Sequence, residues 1–171
     1  MSKRILFCTG VFPPAIGGPG KITEELAAAL TDLGHECEVL TFGNDDRVSR
    51  PYGVRRISFA IPQPFRLCSA LAMTLWRAWS HDAIYSLDTY SSGFAAAIAS
   101  RLLGKPLIQR VSGDSVWESA FNAGVTDDDI ATFQNRPHDV RTKLLVWRRN
   151  FILKTARRIV TDSEFIKNFL Q

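Results

Sequence analysis

Short apolar runs alternate along this chain with stretches whose apolar residues return every three or four positions. Residues 4–9 (RILFCT) read as a strand buried on both faces. In residues 22–33 the apolar positions are Ile22, Leu26, Ala29, Leu30 and Leu33, which predicts a helix packed by one face. Gly34 follows as its stop signal. Further strands are expected at 38–42, 54–59, 83–87, 106–111 and 156–161. A helix over 65–79 carries Leu67, Leu71, Leu75 and Trp79 on one face, and a helix of small residues over 95–103 closes at Gly104. Later helices are expected over 125–134, over 139–158, and from Glu164 behind a cap at Asp162 or Ser163. The order β-α-β-β-α-β-α-β implies an α/β fold: a doubly wound, mainly parallel sheet with helices on both faces.

The link between the first strand and the first helix is rich in glycine: Phe12-Pro13-Pro14-Ala15-Ile16-Gly17-Gly18-Pro19-Gly20-Lys21. A strand, a glycine turn and a helix start let backbone approach a ligand, and the helix N-terminus adds unpaired N–H groups suited to phosphate or sugar hydroxyls. Two familiar phosphate loops are excluded by spacing. A P-loop needs Gly-Lys followed by Ser or Thr, and Ile22 stands there. The dinucleotide fingerprint needs a third glycine where Thr23 stands. A tight turn alone would also account for the glycines.

In a doubly wound sheet, ligands bind outside the carboxyl ends of the strands. Loops 13–21, 88–93 and 112–118 should share that rim. Their candidate groups are Gly17, Gly18 and Lys21 for phosphate, and Asp88, Tyr90 and Glu118 for sugar hydroxyls. Asp114 is the candidate for supporting charge in a reaction, and it could instead cap the next helix or pair with Arg110. Asp114 and Glu118 would share a helical face if a helix begins near Asp114.

Composition narrows the class. The chain has 171 residues, 46% apolar and 22% charged, the make-up of one ordinary globular domain with a real core. A net charge of +4 suits anionic partners without specifying nucleic acid, for which no motif is present. Cys8, Cys37 and Cys68 are odd in number and lack a Cys-x-x-Cys pair, and only His35, His81 and His138 accompany them. Neither a disulfide framework nor a metal site is expected. Residues 1–4 lead into a strand without an apolar leader, and no run reaches the roughly 18 residues of a membrane span, so a cytoplasmic setting is expected.

With these residues in view, the chain resembles the N-terminal domain of a GT-B fold glycosyltransferase of family 4, the retaining enzymes that use sugar nucleotides. The segment Phe12-Pro13-Pro14 through Gly17-Gly18 is similar to the family's first loop. Leu33-Gly34-His35-Glu36-Cys37-Glu38-Val39 resembles its first helix exit, and Gly104-Lys105-Pro106-Leu107 its approach to the fifth strand. Val111-Ser112-Gly113-Asp114-Ser115-Val116-Trp117-Glu118 resembles the V-x-G-D-x-x-W-E loop of a bacterial subgroup. Ile159-Val160-Thr161-Asp162-Ser163-Glu164-Phe165 is similar to the segment closing this half.

The resemblance implies that residues 1–171 are the acceptor-side, Rossmann-like half of an enzyme. A C-terminal domain beyond Gln171 would bind most of the nucleotide sugar, so the chain alone is expected to be inactive or nearly so. It implies a nucleotide-diphosphate sugar as donor substrate with no separate cofactor, and a glycan or glycolipid acceptor in polysaccharide or glycoconjugate synthesis. Many relatives carry histidine where Gly113-Asp114 stands here. The alternative is a non-catalytic Rossmann-like module that holds a nucleotide or anion at the glycine loop. Between Arg141 and Arg158 lie seven basic residues and no acid, with Trp147 and Phe151 interleaved. With Trp76 and Trp79 of the second helix, they suggest peripheral contact with anionic lipid at the inner membrane face. They also fit a core-facing stripe with a solvated basic face.

Overall fold

The structure, a computed structural model, describes residues 1–44 and 46–169. Its elements in chain order are β1 (Arg4–Cys8), α1 (Gly18–Asp32), β2 (Glu36–Phe42), β3 (Gly53–Ile57), α2 (Phe65–Trp79), β4 (Ala83–Ser86) and α3 (Ser91–Leu103). Then follow β5 (Leu107–Arg110), α4 (Ser115–Asn122), α5 (Ile130–Asn135), α6 (Val140–Thr155), β6 (Arg158–Val160) and α7 (Glu164–Phe169). The strands form one six-stranded sheet in the order β3-β2-β1-β4-β5-β6. Every pairing is parallel, with Phe7 of β1 opposite Val39 of β2 and Tyr85 of β4. The expected doubly wound α/β sheet is therefore present, and the order turns at β1 and β4, where the chain crosses from one side of the sheet to the other.

The alternation of β1 divides the core. Phe7 points to the face covered by α1, where it packs with Val39, Tyr52 and Leu87. Leu6 and Cys8 point to the opposite face, packing with Leu40, Ile84 and Leu107 beneath α2, α3 and α6. On α3, Ala96, Ala97 and Ala99 are fully buried, so this helix lies close against the sheet and its neighbours. Burial pushes the pKa of the Cys8 thiol far above its ordinary value, which keeps it protonated and leaves it an inert core residue.

The helix boundaries show where local chemistry overrides periodicity. The helix expected over 125–134 is not continuous. Instead α4 ends at Asn122, the chain turns at Gly124 with φ of 67°, and α5 starts only at Ile130. Asp129 Oδ1 accepts the N–H groups of Ala131 and Thr132 at 2.9 Å each, so its carboxylate begins a helix rather than sitting inside one. The segment 139–158, expected as helix, overlapped the last expected strand at 156–158. Helix α6 stops at Thr155, and Ala156 adopts an extended conformation that frees Arg158–Val160 to pair with β5. Helix α7 begins at Glu164 behind Ser163, whose hydroxyl accepts the Ile166 N–H at 3.4 Å. Leu170 and Gln171, which follow in the helix expected from Glu164, lie outside the described residues.

Candidate functional site at the carboxyl rim of the sheet

The loop after β1 is held from below. Phe12 is 1% exposed, and the guanidinium groups of Arg50 and Arg56 lie over its ring at 5.1 and 5.5 Å. Arg56 also donates to the Pro13 carbonyl at 2.6 Å, tying the loop to β3. Both arginines converge on Asp46, at 2.7 and 2.8 Å. The hydrogen bond from Arg50 is the main reason the Asp46 carboxyl sits far below the usual carboxylate range, against the opposing effect of burial.

Above this clamp, Gly17 is the N-cap of α1 and Gly18 its first residue. Helix α1 starts four residues before the first position expected from periodicity. No side chain caps it, and its first turn contains no acid, so the helix itself supplies no side chain to offset the positive end of its dipole. The three glycines of this turn differ in what they contact. A Cβ on Gly20 would meet the Val11 carbonyl oxygen at 3.0 Å and Phe12 Cα at 3.1 Å, and one on Gly17 would meet Val11 Cγ1 at 2.9 Å. A Cβ on Gly18 would meet nothing within 4 Å. Packing thus explains Gly17 and Gly20, while Gly18 borders open space. Lys21 is mostly exposed and lies 3.8 Å from Glu25 in an i,i+4 pair.

The β4 loop is built around Asp88. Its Oδ1 accepts the N–H groups of Tyr90 at 2.8 Å and Gly93 at 3.0 Å, and its Oδ2 accepts the Ser92 hydroxyl. Asp88 therefore organises the start of α3, extending that helix back to Ser91 from the expected 95. Its own carbonyl accepts from Gln109 of β5 at 3.0 Å, and Thr89 shares a 2.7 Å hydrogen bond with Ser115. These contacts join the β4 and β5 loops into one wall.

Asp114 is 3% exposed and is the N-cap of α4. Its Oδ1 accepts the Val116 N–H at 3.0 Å and the Trp117 N–H at 3.4 Å. Its Oδ2 accepts Gln134 Nε2 at 2.8 Å and pairs with the Arg149 guanidinium. Of the two ordinary roles open to it, Asp114 takes the cap. Its ion pair is with Arg149, while Arg110 binds Asp162 at 2.6 Å instead. Arg149 itself is 9% exposed, so the pair is screened little by solvent.

Three cavities lie along this rim. One of about 180 Å³ brings Pro19 of the glycine turn together with Asp88, Ser112, Gly113 and Glu118. It shares Thr89, Val111 and Gly113 with a larger one of about 420 Å³, which runs over Asp114, Gln134 and Arg149 to Ile166. Tyr90 faces a third, separate cavity with Arg148. The rim thus joins Asp88 and Glu118 near the glycine turn, sets Asp114 beside them beneath the surface, and leaves Tyr90 apart. Glu118 lies against Gly113, where any Cβ would strike its carboxylate. Gln134, Arg148 and Arg149 were not anticipated as site residues. The signal available for Arg149 was its place on α6, three before Ile152 and four after Leu145, on the apolar stripe. Among the described residues, no group of His, Cys, Asp and Glu could hold a metal ion. No helix among them is long and apolar enough to cross a membrane.

A parallel doubly wound sheet with a glycine turn, an Asp-organised β4 loop and a capped β5 loop along one carboxyl rim is a Rossmann-like α/β domain, the architecture of the N-terminal half of GT-B proteins. The glycosyl transferase 4-like domain family model matches residues 17–171, and the chain belongs to that family. No curated protein matches the sequence. Among solved structures, it is similar to a sucrose-phosphate synthase from Thermosynechococcus elongatus, at 13% identity with a TM-score of 0.68, over 99% of this chain and 44% of that one. It is similar to HepE from Anabaena, solved with UDP and glucose, at 16% identity and a TM-score of 0.66, over 98% of this chain and 40% of that one. A UDP-GlcNAc 2-epimerase from Methanocaldococcus jannaschii matches at 12% identity and a TM-score of 0.62, over 98% of this chain and 41% of that one. The chain spans about two-fifths of the length of these structures.

Proposed function

We propose that this domain is the acceptor-side half of a retaining glycosyltransferase that moves a hexose from a nucleotide-diphosphate sugar to an acceptor hydroxyl. The observation that carries the reading is the open ground above Gly18, at an uncapped helix N-terminus, beside a cavity walled by the β4 and β5 loops. The Gly17 and Gly18 backbone suits a diphosphate oxygen there, with Lys21 as a solvated counter-charge. Pro19 has no N–H to offer. Asp88 and Glu118 suit acceptor or donor hydroxyls along the same wall. Asp114, fixed by Arg149 and the start of α4, supports developing charge at the reacting carbon through its place in the loop, or orients that loop. A second lobe would close over this rim, exclude water and neutralise the diphosphate. The donor then enters as substrate, and no separate cofactor or metal is required.

Such an enzyme would work in the cytoplasm on glycan or glycolipid acceptors. Exposed Phe65, Trp76 and Trp79 on α2, and Leu144 and Trp147 on α6 beside basic residues, support contact with anionic lipid. Salt-sensitive binding to anionic vesicles tests that part.

The central test is a UDP titration of the chain followed by amide NMR, repeated with Gly18→Leu. Perturbations at Gly18–Lys21 and along 112–118, lost in the variant, support the proposal. UDP binding unchanged by Gly18→Leu, in the chain or in a protein carrying both lobes, refutes it. Tight UDP binding with no sugar transfer by a protein carrying both lobes would favour a non-catalytic nucleotide module.

A further inference from the structure

The third rim cavity, of about 220 Å³, opens between the loop after β1, the start of α2 and the middle of α6. Its apolar walls include Phe42, Phe59 and Tyr90, and its charges are Arg66 and Arg148. Phe42 and Phe59 stack at 6.5 Å, and Arg66 lies over Phe59 at 5.2 Å. Arg66 donates to two carbonyls, Phe59 at 2.9 Å and Ile61 at 3.0 Å. Arg148 donates to the Tyr90 carbonyl at 3.0 Å and stacks on Phe94 at 4.8 Å, while its buried Nε has no hydrogen-bond partner.

Neither arginine meets a carboxylate among the described residues. That separates them from Arg50, Arg56, Arg77, Arg110 and Arg149, each of which has an acidic partner. A half-buried guanidinium held only by carbonyls and rings keeps a net charge that those contacts do not neutralise, and an arriving anion would supply the missing counter-charge. A buried N–H with no acceptor carries a cost of its own. The aromatic walls offer flat apolar surface to a ring. The volume is below the roughly 300–1,000 Å³ of drug-sized clefts, which suits one ring better than a chain.

We infer that this cavity takes an anionic sugar, a single ring bearing a carboxylate or phosphate, with its acid group between Arg66 and Arg148. Its identity as the acceptor rests on the transferase reading above; the recognition of the anion does not.

The test is a calorimetric titration of the chain with methyl glucuronide, glucose 6-phosphate, methyl glucoside and inorganic phosphate. Either acidic sugar should bind at least about tenfold tighter than the neutral glucoside, one charge-assisted hydrogen bond being enough for that factor. The tighter of the two distinguishes carboxylate from phosphate. Arg66→Gln and Arg148→Gln should each weaken that binding by about tenfold or more. Because Arg148 also stacks on Phe94, Leu67→Trp serves as a second probe, filling the cavity with both charges retained and abolishing binding. Equal affinity for the glucoside, or affinity unchanged by Arg66→Gln and Leu67→Trp, overturns the inference. Inorganic phosphate binding as tightly as glucose 6-phosphate also overturns it, showing an adventitious ion only. A parallel UDP titration of a protein carrying both lobes, with and without Gly18→Leu, separates the two readings. Acidic sugars binding while UDP binding is absent or unchanged by Gly18→Leu counts against the transferase alone, and the reverse outcome against this cavity alone.

Discussion

Replacing Arg149 with methionine removes one partner of the most enclosed ion pair on the rim. Asp114 would then remain 3% exposed with a full charge, two backbone N–H groups and Gln134 as its remaining donors. Breaking a buried pair by deleting one member costs about 3–5 kcal/mol. That is a large part of the roughly 5–15 kcal/mol that holds a domain folded. Asp114→Asn keeps an oxygen for the cap and leaves Arg149 with only the amide oxygens of Gln134 and Asn150, at 3.0 and 3.1 Å. It should cost less than Arg149→Met, because a guanidinium tolerates neutral acceptors better than a buried carboxylate tolerates loss of its counter-charge. The double variant removes both charges and should be less destabilised than the sum of the singles by at least about 1.5 kcal/mol. Urea unfolding of the four proteins supplies the cycle. Additivity within about 0.5 kcal/mol would refute the reasoning, since it would mean that the two groups do not depend on each other.

Other expectations are independent of that pair. Gly18→Ala should leave the unfolding free energy from urea titration unchanged or raised by roughly 0.4–1 kcal/mol, because its Cβ meets nothing and fits a helix start. UDP binding should fall in the same variant, as amide NMR would show. Gly20→Ala should destabilise by about 1–3 kcal/mol, since its Cβ meets the backbone of Val11 and Phe12. Gly93→Ala should be worse and reduce soluble yield, its Cβ falling on the Asp88 carbonyl oxygen. The Asp46 carboxyl is depressed in the folded state, chiefly by the Arg50 hydrogen bond. Its contribution is therefore present above the unfolded value near about 4 and lost as pH falls below it. Wild type should lose stability more steeply than Asp46→Asn below about pH 4, measured by urea midpoints against pH.

The architecture was legible because it follows from local rules. Apolar runs such as 4–9 and 83–87, the helical period of 65–79, and the stops at Gly34 and Gly104 act within a few residues of themselves. Both glycines adopt positive φ, 86° and 65°, as stop signals require. The strand and helix order then leaves little choice but a parallel, doubly wound sheet. The rim loops could be named for the same reason, since topology alone puts them at one edge. Boundaries failed where an aspartate side chain outcompeted periodicity, as at Asp88 and Asp129. Each draws helix N–H groups to a carboxylate and so sets where a helix begins.

Only the folded chain decided the partners of the charged groups. Asp114 meets Arg149 and Gln134, 35 and 20 residues away, and Asp46 gathers Arg50 and Arg56 beneath Phe12. The sequence left two readings of the basic run 141–158 open, a lipid-facing surface or a core-facing stripe with a solvated basic face. In the fold, α6 turns Arg149 into an ion pair, Arg148 toward a cavity without a counter-charge, and Trp147 half outward. The periodicity of a helix states which residues share a face. What that face meets depends on the elements packed against it, and charges pair across distances that no local pattern encodes.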